Sequence, residues 1–182
     1  MKTYRVGIIG ATGMVGQRFA TLLENHPWFQ VTALAASGKS AGKTYAEALN
    51  GRWVMKNPIP AQMAGMILLN AAEDVEKMKQ LVDFVFCAVN MSKAETKALE
   101  EAYAKAEIPV VSNNSANRGL DDVPMVVPEL NAGHIAVIDT QRKHLGTKRG
   151  FIAVKSNCSL QSYVPALHPL KDLYGLTRVL AC

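Results

Sequence analysis

The chain has 182 residues and a formal net charge of +5, with 49% hydrophobic and 19% charged residues. This length is enough for one sizeable core, or for one domain and part of another, and the composition is typical of a globular protein. No apolar run reaches the roughly 18 residues that a membrane-spanning helix needs, so we expect no membrane protein. Lysines and arginines are dispersed among acidic residues, which favours a solvated surface or a small anionic ligand over nucleic acid.

The cysteines, the N-terminus and the histidines indicate the cellular environment and whether the chain binds a metal. The three cysteines, Cys87, Cys158 and Cys182, are an odd number without framework spacing, which predicts a reducing, cytoplasmic environment. The N-terminus has no apolar segment before its first glycine turn, so we expect no signal peptide. The four histidines lack metal-ligand spacing, and we expect no metal site.

The first forty residues read as a βαβ unit. A short buried strand is predicted over 4–9, and a glycine-rich turn follows it. A helix is predicted from about residue 14 to residue 25, and a second strand over 30–36. The helix is expected to bury one face, made of Val15, Phe19, Leu22 and Leu23. Together these elements have the length of a βαβ unit.

Strands and helices continue to alternate downstream. Residues 37–64 form a looser stretch, and 113–130 lack periodicity, which is typical of a functional loop. This alternation predicts an α/β fold with a doubly wound parallel sheet. The remaining strands are predicted over 66–69, 83–89, 108–112, 151–155 and 176–181. The remaining helices are predicted over 73–80, from Ser92 to about 106, over 132–144 and after residue 159.

The glycine-rich turn carries the first functional signal. Gly10, Gly13 and Gly16 follow a G-x-x-G-x-x-G spacing between a strand and a helix. Such a turn brings backbone N–H groups to the pyrophosphate of a dinucleotide, although it can also be merely structural. The second strand ends in residues 37–40, which hold two hydroxyls and a lysine but no acid. This composition favours the 2′-phosphate of NADP over the free ribose of NAD, with an unliganded polar loop as the alternative.

Cys158 carries the second signal, since it follows a predicted strand at the start of a helix. A helix N-terminus stabilises a thiolate, and a thiolate is a strong nucleophile for acyl groups. Asn157 is placed to offer a donor to an oxyanion. Cys87 lies inside an apolar strand and is expected to be an inert buried thiol. Arg118 lies on a loop beyond a strand, where an arginine clamps a phosphate or is simply solvated.

These motifs resemble aspartate-semialdehyde dehydrogenases over essentially the whole chain, and they are most similar to the archaeal and fungal branch. The matching segments are GIIGATGMVGQRF (7–19), SAGKTY (40–45), SNNSANR (112–118), DVPMVVPELN (122–131) and GFIAVKSNCS (150–159). The resemblance implies a Rossmann-type NADP-binding domain over 1–157. It implies the beginning of an α+β catalytic and dimerisation domain over 158–182, which is incomplete.

The resemblance also implies a reaction and a set of site residues. L-aspartyl-4-phosphate and NADPH give aspartate 4-semialdehyde, NADP⁺ and phosphate, in the biosynthesis of lysine, methionine and threonine. Cys158 forms the acyl-thioester with help from Asn157, and Arg118 with Ser115 binds phosphate. The cofactor contacts implied are Gly10, Thr12, Gly13, Met14, Val15, Gly16, Ser37, Gly38, Lys39, Ser40, Cys87 and Ala88.

The family's chains are longer and carry a histidine acid/base beyond the position of Cys182. We therefore expect these 182 residues alone to be inactive or nearly so, and the full-length protein to be a homo-oligomer, either a dimer or a tetramer. Two reductases of the same architecture remain as alternatives, namely malonyl-CoA reductase and N-acetyl-glutamyl-phosphate reductase. A third alternative is an NADP-binding module without catalytic activity.

Overall fold

The computed structural model describes residues 2–180 and contains a seven-stranded sheet in which every neighbouring pair is parallel. The strand order is β3-β2-β1-β4-β5-β7-β6. The predicted doubly wound parallel sheet is therefore confirmed. The strands are β1 (Tyr4–Ile9), β2 (Phe29–Ala36), β3 (Leu69–Asn70), β4 (Phe84–Cys87), β5 (Val110–Ser112), β6 (Met125–Val126) and β7 (Ile152–Lys155).

Helices connect the strands. A 3₁₀ segment, Ala132–Val137, lies where the sequence predicts the first part of one continuous helix. It contains Gly133, and glycine is a poor former of α-helix. The α-helices are α1 (Met14–Leu23), α2 (Tyr45–Ala48), α3 (Ala61–Ala64), α4 (Val75–Leu81), α5 (Lys93–Lys105), α6 (Pro128–Asn131), α7 (Ile138–Leu145), α8 (Cys158–Gln161) and α9 (Val164–Tyr174).

The order of the strands places a crevice beside β1. The chain passes from β1 to β2 on one side, and β4 later joins β1 on the other side. Ligands of doubly wound sheets bind at this reversal, outside the carboxyl ends of the strands. The sheet is apolar on both faces: Ile8 and Leu34 belong to one buried cluster, while Ile9 and Ala35 belong to the other. Alternate residues of each strand thus anchor opposite layers of helices.

The buried face of α1 differs from the predicted one. Gly16, Gln17, Ala20 and Leu23 are buried, whereas Leu22 is 57% exposed and Val15 is 37% exposed. Leu23 is buried and Phe19 is partly buried against the core, both as predicted. The cause is the close approach of Gly16 to the backbone of Gly10 and Ala11, which turns the small residues of the helix towards the sheet.

Three predicted segments were wrong in detail. The looser stretch 37–64 contains α2, whose first turn is closed by a capping box between Thr44 and Glu47, and it also contains α3. Residues 113–130, expected to lack regular structure, contain β6 and the first three residues of α6, two elements too short to produce a periodic pattern. Residues 176–180 are not a strand, since no described strand pairs with them; residue 181 lies outside the described residues.

Candidate functional site

The turn between β1 and α1 depends on two of its three glycines. Gly10 has a φ of +83°, and a β-carbon there would lie 2.5 Å from the carbonyl oxygen of Ala88. A β-carbon on Gly16 would collide with the carbonyl oxygen of Gly10. Side chains at these positions would force the backbone apart, so both glycines are explained by packing within the protein.

Gly13 is different, because nothing in the fold requires it to be glycine. Its φ is −76°, and a β-carbon there would meet only the Gly10 carbonyl oxygen, at an ordinary 3.5 Å. Gly13 is the N-cap of α1, which begins without a side-chain cap and without an acidic residue in its first turn. The first backbone N–H groups of a helix have no partner within the helix. A bound pyrophosphate would supply the missing acceptors.

A cavity of about 390 Å³ opens beside this turn, at the carboxyl ends of β1, β2 and β4. Its walls include six of the predicted cofactor residues, namely Gly10, Thr12, Gly13, Ser37, Gly38 and Ala88. The other predicted cofactor residues, Met14, Val15, Gly16, Lys39, Ser40 and Cys87, are not part of its lining. Sequence reasoning missed further lining residues: Ala36, Asn70, Ala71, Ala72, Val89, Asn90, Met91 and Leu99.

Most of the missed residues share one position in the fold. Asn70 ends β3 and is followed by Ala71 and Ala72, while Val89 to Met91 follow β4, so both groups lie at the carboxyl edge of the parallel sheet. Ligands of such sheets bind at this edge, and that rule could have found these residues once the strands were assigned.

The segment after β2 is a tight turn in which the Ser40 amide donates to the Ser37 carbonyl oxygen at 2.9 Å. Ser37, Gly38 and Lys39 are exposed, whereas Ser40 is buried. One hydroxyl and one ammonium group are therefore accessible here, and residues 37–40 contain no carboxylate.

Cys87 lies beneath the cavity in the apolar core and is fully buried. Burial, together with the nearby charge of Glu100, raises the pKa of the Cys87 thiol well above its usual range. The neutral thiol is a poor nucleophile. Its neighbour Ala88 lies in the cavity wall.

The loop that follows β5 holds Arg118 in a defined position. Its Nη2 donates to the carbonyl oxygen of Asn113 at 3.2 Å, and its amide donates to the carbonyl oxygen of Ser115 at 3.3 Å. The Nε of Arg118 is buried and has no hydrogen-bond partner among residues 2–180. Ser115 is exposed at the tip of the loop.

Sequence reasoning also missed a buried carboxylate behind this loop. Glu100 of α5 is 1% exposed and accepts hydrogen bonds from Ser112, Asn114 and Asn117. The surface pattern of α5 gives no signal for it, since a glutamate in an amphipathic helix normally faces solvent.

Cys158 is exposed at the first residue of α8, three residues beyond the end of β7. Asn157 is the N-cap of that helix, and its Oδ1 accepts from the Ser159 amide at 2.8 Å. This contact leaves the Asn157 Nδ2 group for another acceptor. The neighbouring Ser156 is buried, and its hydroxyl has no partner in the described part of the chain.

The register of the sheet relates Cys158 to the Arg118 loop. Ser112 of β5 pairs with Val154 of β7, so the segments that follow these strands leave the same edge of the sheet side by side. Within residues 2–180 no hydrogen bond joins Arg118 to Cys158. Their joint action on a substrate stays a prediction.

The four histidines make other contacts through Nδ1: His26 with the Trp28 amide, His134 with the Met125 carbonyl, His144 with Asp122 and His168 with Asp172. None of the hydrogen bonds found in the described residues links a histidine to Cys158. Residues 2–180 contain no cluster of three or more His, Cys, Asp or Glu side chains able to hold a metal ion. They also contain no helix with the length and apolarity needed to cross a membrane.

Comparison with known protein families identifies the family of this chain. The family model for the NAD binding domain of semialdehyde dehydrogenase matches residues 5–138. The chain belongs to this family. The match covers the strands from β1, except its first residue, to β6. It includes the glycine turn after β1 and all residues that line the cavity.

Relatives of this semialdehyde dehydrogenase domain come from both of the branches that the motifs predicted. An aspartate-semialdehyde dehydrogenase of Archaeoglobus fulgidus is 40% identical over 181 residues, which are 97% of this chain and 48% of that protein. One of Schizosaccharomyces pombe is 38% identical over 175 residues, or 96% of this chain and 47% of that protein. The predicted resemblance is confirmed, and the chain spans about half the length of these curated relatives.

A solved structure supports the same relationship. The crystal structure of aspartate semialdehyde dehydrogenase with NADP from Candida albicans superposes with a TM-score of 0.81 at 35% identity. The superposition covers 96% of this chain and 48% of that one.

Proposed function

We propose that this chain is the NADP-binding and nucleophile-bearing part of an enzyme that reduces L-aspartyl-4-phosphate to aspartate 4-semialdehyde. The observation that carries the proposal is the exposed Cys158 at the edge of the sheet where the dinucleotide cavity opens. A thiol nucleophile beside a nicotinamide site is suited to the interconversion of an acyl group and an aldehyde. The relatives of about twice this length are named aspartate-semialdehyde dehydrogenases, which supports the proposal.

The residues of the cavity fit a dinucleotide. The uncapped start of α1 and the open space beside Gly13 would hold the pyrophosphate, and the Gly10 backbone would support the turn. The exposed Ser37 and Lys39 favour NADP, because a hydroxyl and an ammonium group both suit a 2′-phosphate. The Candida albicans relative, crystallised with NADP, supports this choice. When bound, NADPH supplies the hydride that converts a thioester to an aldehyde.

Cys158 performs the covalent step in this proposal. Its thiolate sulfur forms a bond to the acyl carbon of the substrate, and the bond from that carbon to the phosphate oxygen breaks. Inorganic phosphate leaves with the electron pair of that bond, and the acyl group remains on Cys158 as a thioester. The Nδ2 group of Asn157, which the N-cap contact leaves free, donates to the oxyanion that develops during attack.

Arg118 binds the phosphate of the substrate, with Ser115 beside it. The buried Nε of Arg118 lacks an acceptor among the described residues, and a phosphate oxygen would supply one. The planar guanidinium is suited to a tetrahedral anion because it donates from an edge with two parallel N–H bonds.

Turnover needs a group that moves protons at the thioester, and no hydrogen bond in residues 2–180 gives Cys158 a histidine partner. We therefore propose that the 182 residues alone form the thioester but are inactive, or nearly so, in turnover. We also propose, from the family resemblance, that the full-length protein is a homo-oligomer, either a dimer or a tetramer. The free thiols Cys87 and Cys158 are consistent with a reducing, cytoplasmic setting. The division at residue 157 between the two domains is part of the same proposal.

Single-turnover acylation tests the proposal on the chain as it exists. Incubation with aspartyl phosphate should release phosphate and leave an acyl adduct on Cys158, identified by peptide mass spectrometry. Cys158→Ser should abolish the adduct, and Cys87→Ala, the matched control, should retain it. An adduct from malonyl-CoA with release of CoA, and none from aspartyl phosphate, would establish the malonyl-CoA reductase alternative.

A further inference from the structure

Glu100 is an unusual residue in α5 because its carboxylate is buried without a cationic partner in the described chain. Its neighbour Glu101 is on the solvent side of the helix and pairs with Lys97 and Lys105. Burying a carboxylate costs free energy unless hydrogen bonds replace the lost water. Because helix formation alone does not require a buried carboxylate, the position of Glu100 needs a further explanation.

Three hydrogen bonds to the Glu100 carboxylate provide that compensation. Oε1 accepts from the Ser112 hydroxyl and from Asn114 Nδ2, the latter at 3.2 Å. Oε2 accepts from Asn117 Nδ2 at 2.7 Å. The Ser112 hydroxyl also accepts from the Asn114 amide at 2.9 Å. One carboxylate thus fixes the end of β5 and the loop on both sides of Ser115.

This arrangement sets the position of Arg118, which directly follows Asn117. The guanidinium of Arg118 is anchored to the same loop through its bond to the Asn113 carbonyl. Two polar atoms of this loop are buried without partners among residues 2–180: the Arg118 Nε, which is a hydrogen-bond donor, and the Asn117 Oδ1, which is an acceptor. A loop that holds a buried donor without an acceptor is prepared for an acceptor from a ligand. Glu100 holds that loop in place from behind, where it is shielded from solvent.

We propose that Glu100 is the positioning residue of the phosphate site, and that it acts by fixing Asn114 and Asn117 so that the Arg118 guanidinium is preset for an oxyanion. This inference rests on the proposed function, which assigns phosphate to Arg118. It adds to that function the statement that the affinity of Arg118 for an oxyanion depends on the buried Glu100 carboxylate, which does not itself contact the anion. Preorganisation of this kind lowers the ordering cost of binding.

Phosphate affinity of the Glu100→Gln variant tests the proposal. Glutamine has the same shape but only one acceptor oxygen, so it cannot receive all three donors in the present arrangement. Inorganic phosphate, titrated by calorimetry or amide chemical shifts, should bind roughly tenfold more weakly to the variant than to the unmodified chain. Glu101→Gln, which removes a partly exposed charge one residue away, should bind phosphate as the unmodified chain does.

Two further variants separate positioning from general stability. Val110→Ala opens a cavity in β5 away from the loop and should lower the melting temperature without changing phosphate affinity at temperatures where it is folded. Ser112→Ala removes one donor to Glu100 with little change of volume. If Glu100→Gln does not fold, this variant still tests whether the Glu100 hydrogen bonds affect phosphate binding. It should weaken phosphate binding severalfold and speed amide hydrogen exchange in 113–118.

The outcomes distinguish this inference from the proposal on which it rests. If the unmodified chain does not bind phosphate, or binds it equally well after Arg118→Ala, the assignment of phosphate to Arg118 is wrong, and the role of Glu100 fails with it. If Arg118→Ala abolishes binding while Glu100→Gln and Ser112→Ala bind as the unmodified chain does, the phosphate site stands and the positioning role of Glu100 is wrong.

Discussion

The carbonyl oxygen of Gly10 occupies the space that a β-carbon on Gly16 would need. This contact brings the first turn of α1 directly against the end of β1, and it explains why small residues of α1 face the sheet. Gly13, between them in sequence, has no such contact. Packing therefore requires glycine at positions 10 and 16 but not at position 13, and mutations at 16 and 13 can separate a packing role from a ligand-binding role.

We predict that Gly16→Ala destabilises the fold and that Gly13→Ala does not. The alanine at position 16 must displace backbone atoms, which costs on the order of 2 kcal/mol or more. The alanine at position 13 keeps an allowed φ and makes one ordinary contact, so its cost should stay below about 1 kcal/mol. Urea unfolding of the two variants measures the difference, and equal losses would contradict it.

Gly13→Ala should instead weaken the binding of the dinucleotide. Its β-carbon would enter the cavity at the start of α1, where the pyrophosphate must approach the backbone closely. We expect roughly tenfold weaker binding of NADPH, measured by fluorescence titration, with little change in stability. Unchanged affinity would show that the pyrophosphate does not lie against this turn.

Cys158 and Cys87 should differ strongly in reactivity. Cys158 is exposed, whereas Cys87 is fully buried with a pKa raised by burial, so its thiolate is scarce and inaccessible. We expect an alkylating reagent at mildly acidic pH to modify Cys158 at least about a hundredfold faster than Cys87. Mapping of the labelled peptides gives both rates in one experiment, and equal rates would refute an activated Cys158.

The sequence was sufficient for the parts of this site that depend on local pattern. Alternating apolar runs and a glycine turn predict β1, α1 and β2, and the polar residues around Cys158 predict its exposure. These features arise within a few residues of one another, where periodicity and turn chemistry are informative.

The carboxylate behind the Arg118 loop could not be predicted in this way. Glu100 lies 12 residues from Ser112 and 17 from Asn117, and its burial depends on how α5 packs against β5. The same helix places Glu101 at the surface, so residue type alone does not distinguish the two. Asn70 in the cavity wall was missed for a similar reason, because β3 has only two residues.

Glu107 should make the stability of the protein depend on pH. Its carboxylate accepts hydrogen bonds from three consecutive backbone amides, those of Lys148, Arg149 and Gly150, which lower its pKa to about 2. Because the folded pKa lies below the unfolded value of 4.5, the stabilisation is complete above that value and is lost as the pH falls towards 2. Glutamine at position 107 should remove this contribution.

Urea unfolding at pH 6 and at pH 3 measures the effect. Glu107→Gln should reduce stability at pH 6 and reduce it less at pH 3, so the variant has the flatter pH profile. Glu73→Gln, at an exposed loop position, is the matched control and should keep the profile of the unmodified chain. A Glu107→Gln profile as steep as that of the control would show that the amides of 148–150 do not hold this carboxylate in solution.

Lys39 should determine the preference between the two nicotinamide dinucleotides. It is exposed in the turn after β2, next to Gly38 of the cavity wall, and we expect its ammonium group to approach a 2′-phosphate bound at this side of the cavity. Lys39→Ala should therefore weaken NADPH binding roughly tenfold and leave NADH binding unchanged, because only NADPH carries the additional charge. Lys43→Ala, an exposed lysine beyond the turn, should affect neither dinucleotide. Equal losses for NADPH and NADH would place Lys39 on a part of the cofactor that both share, and a preference of the unmodified chain for NADH would overturn the assignment of NADP itself.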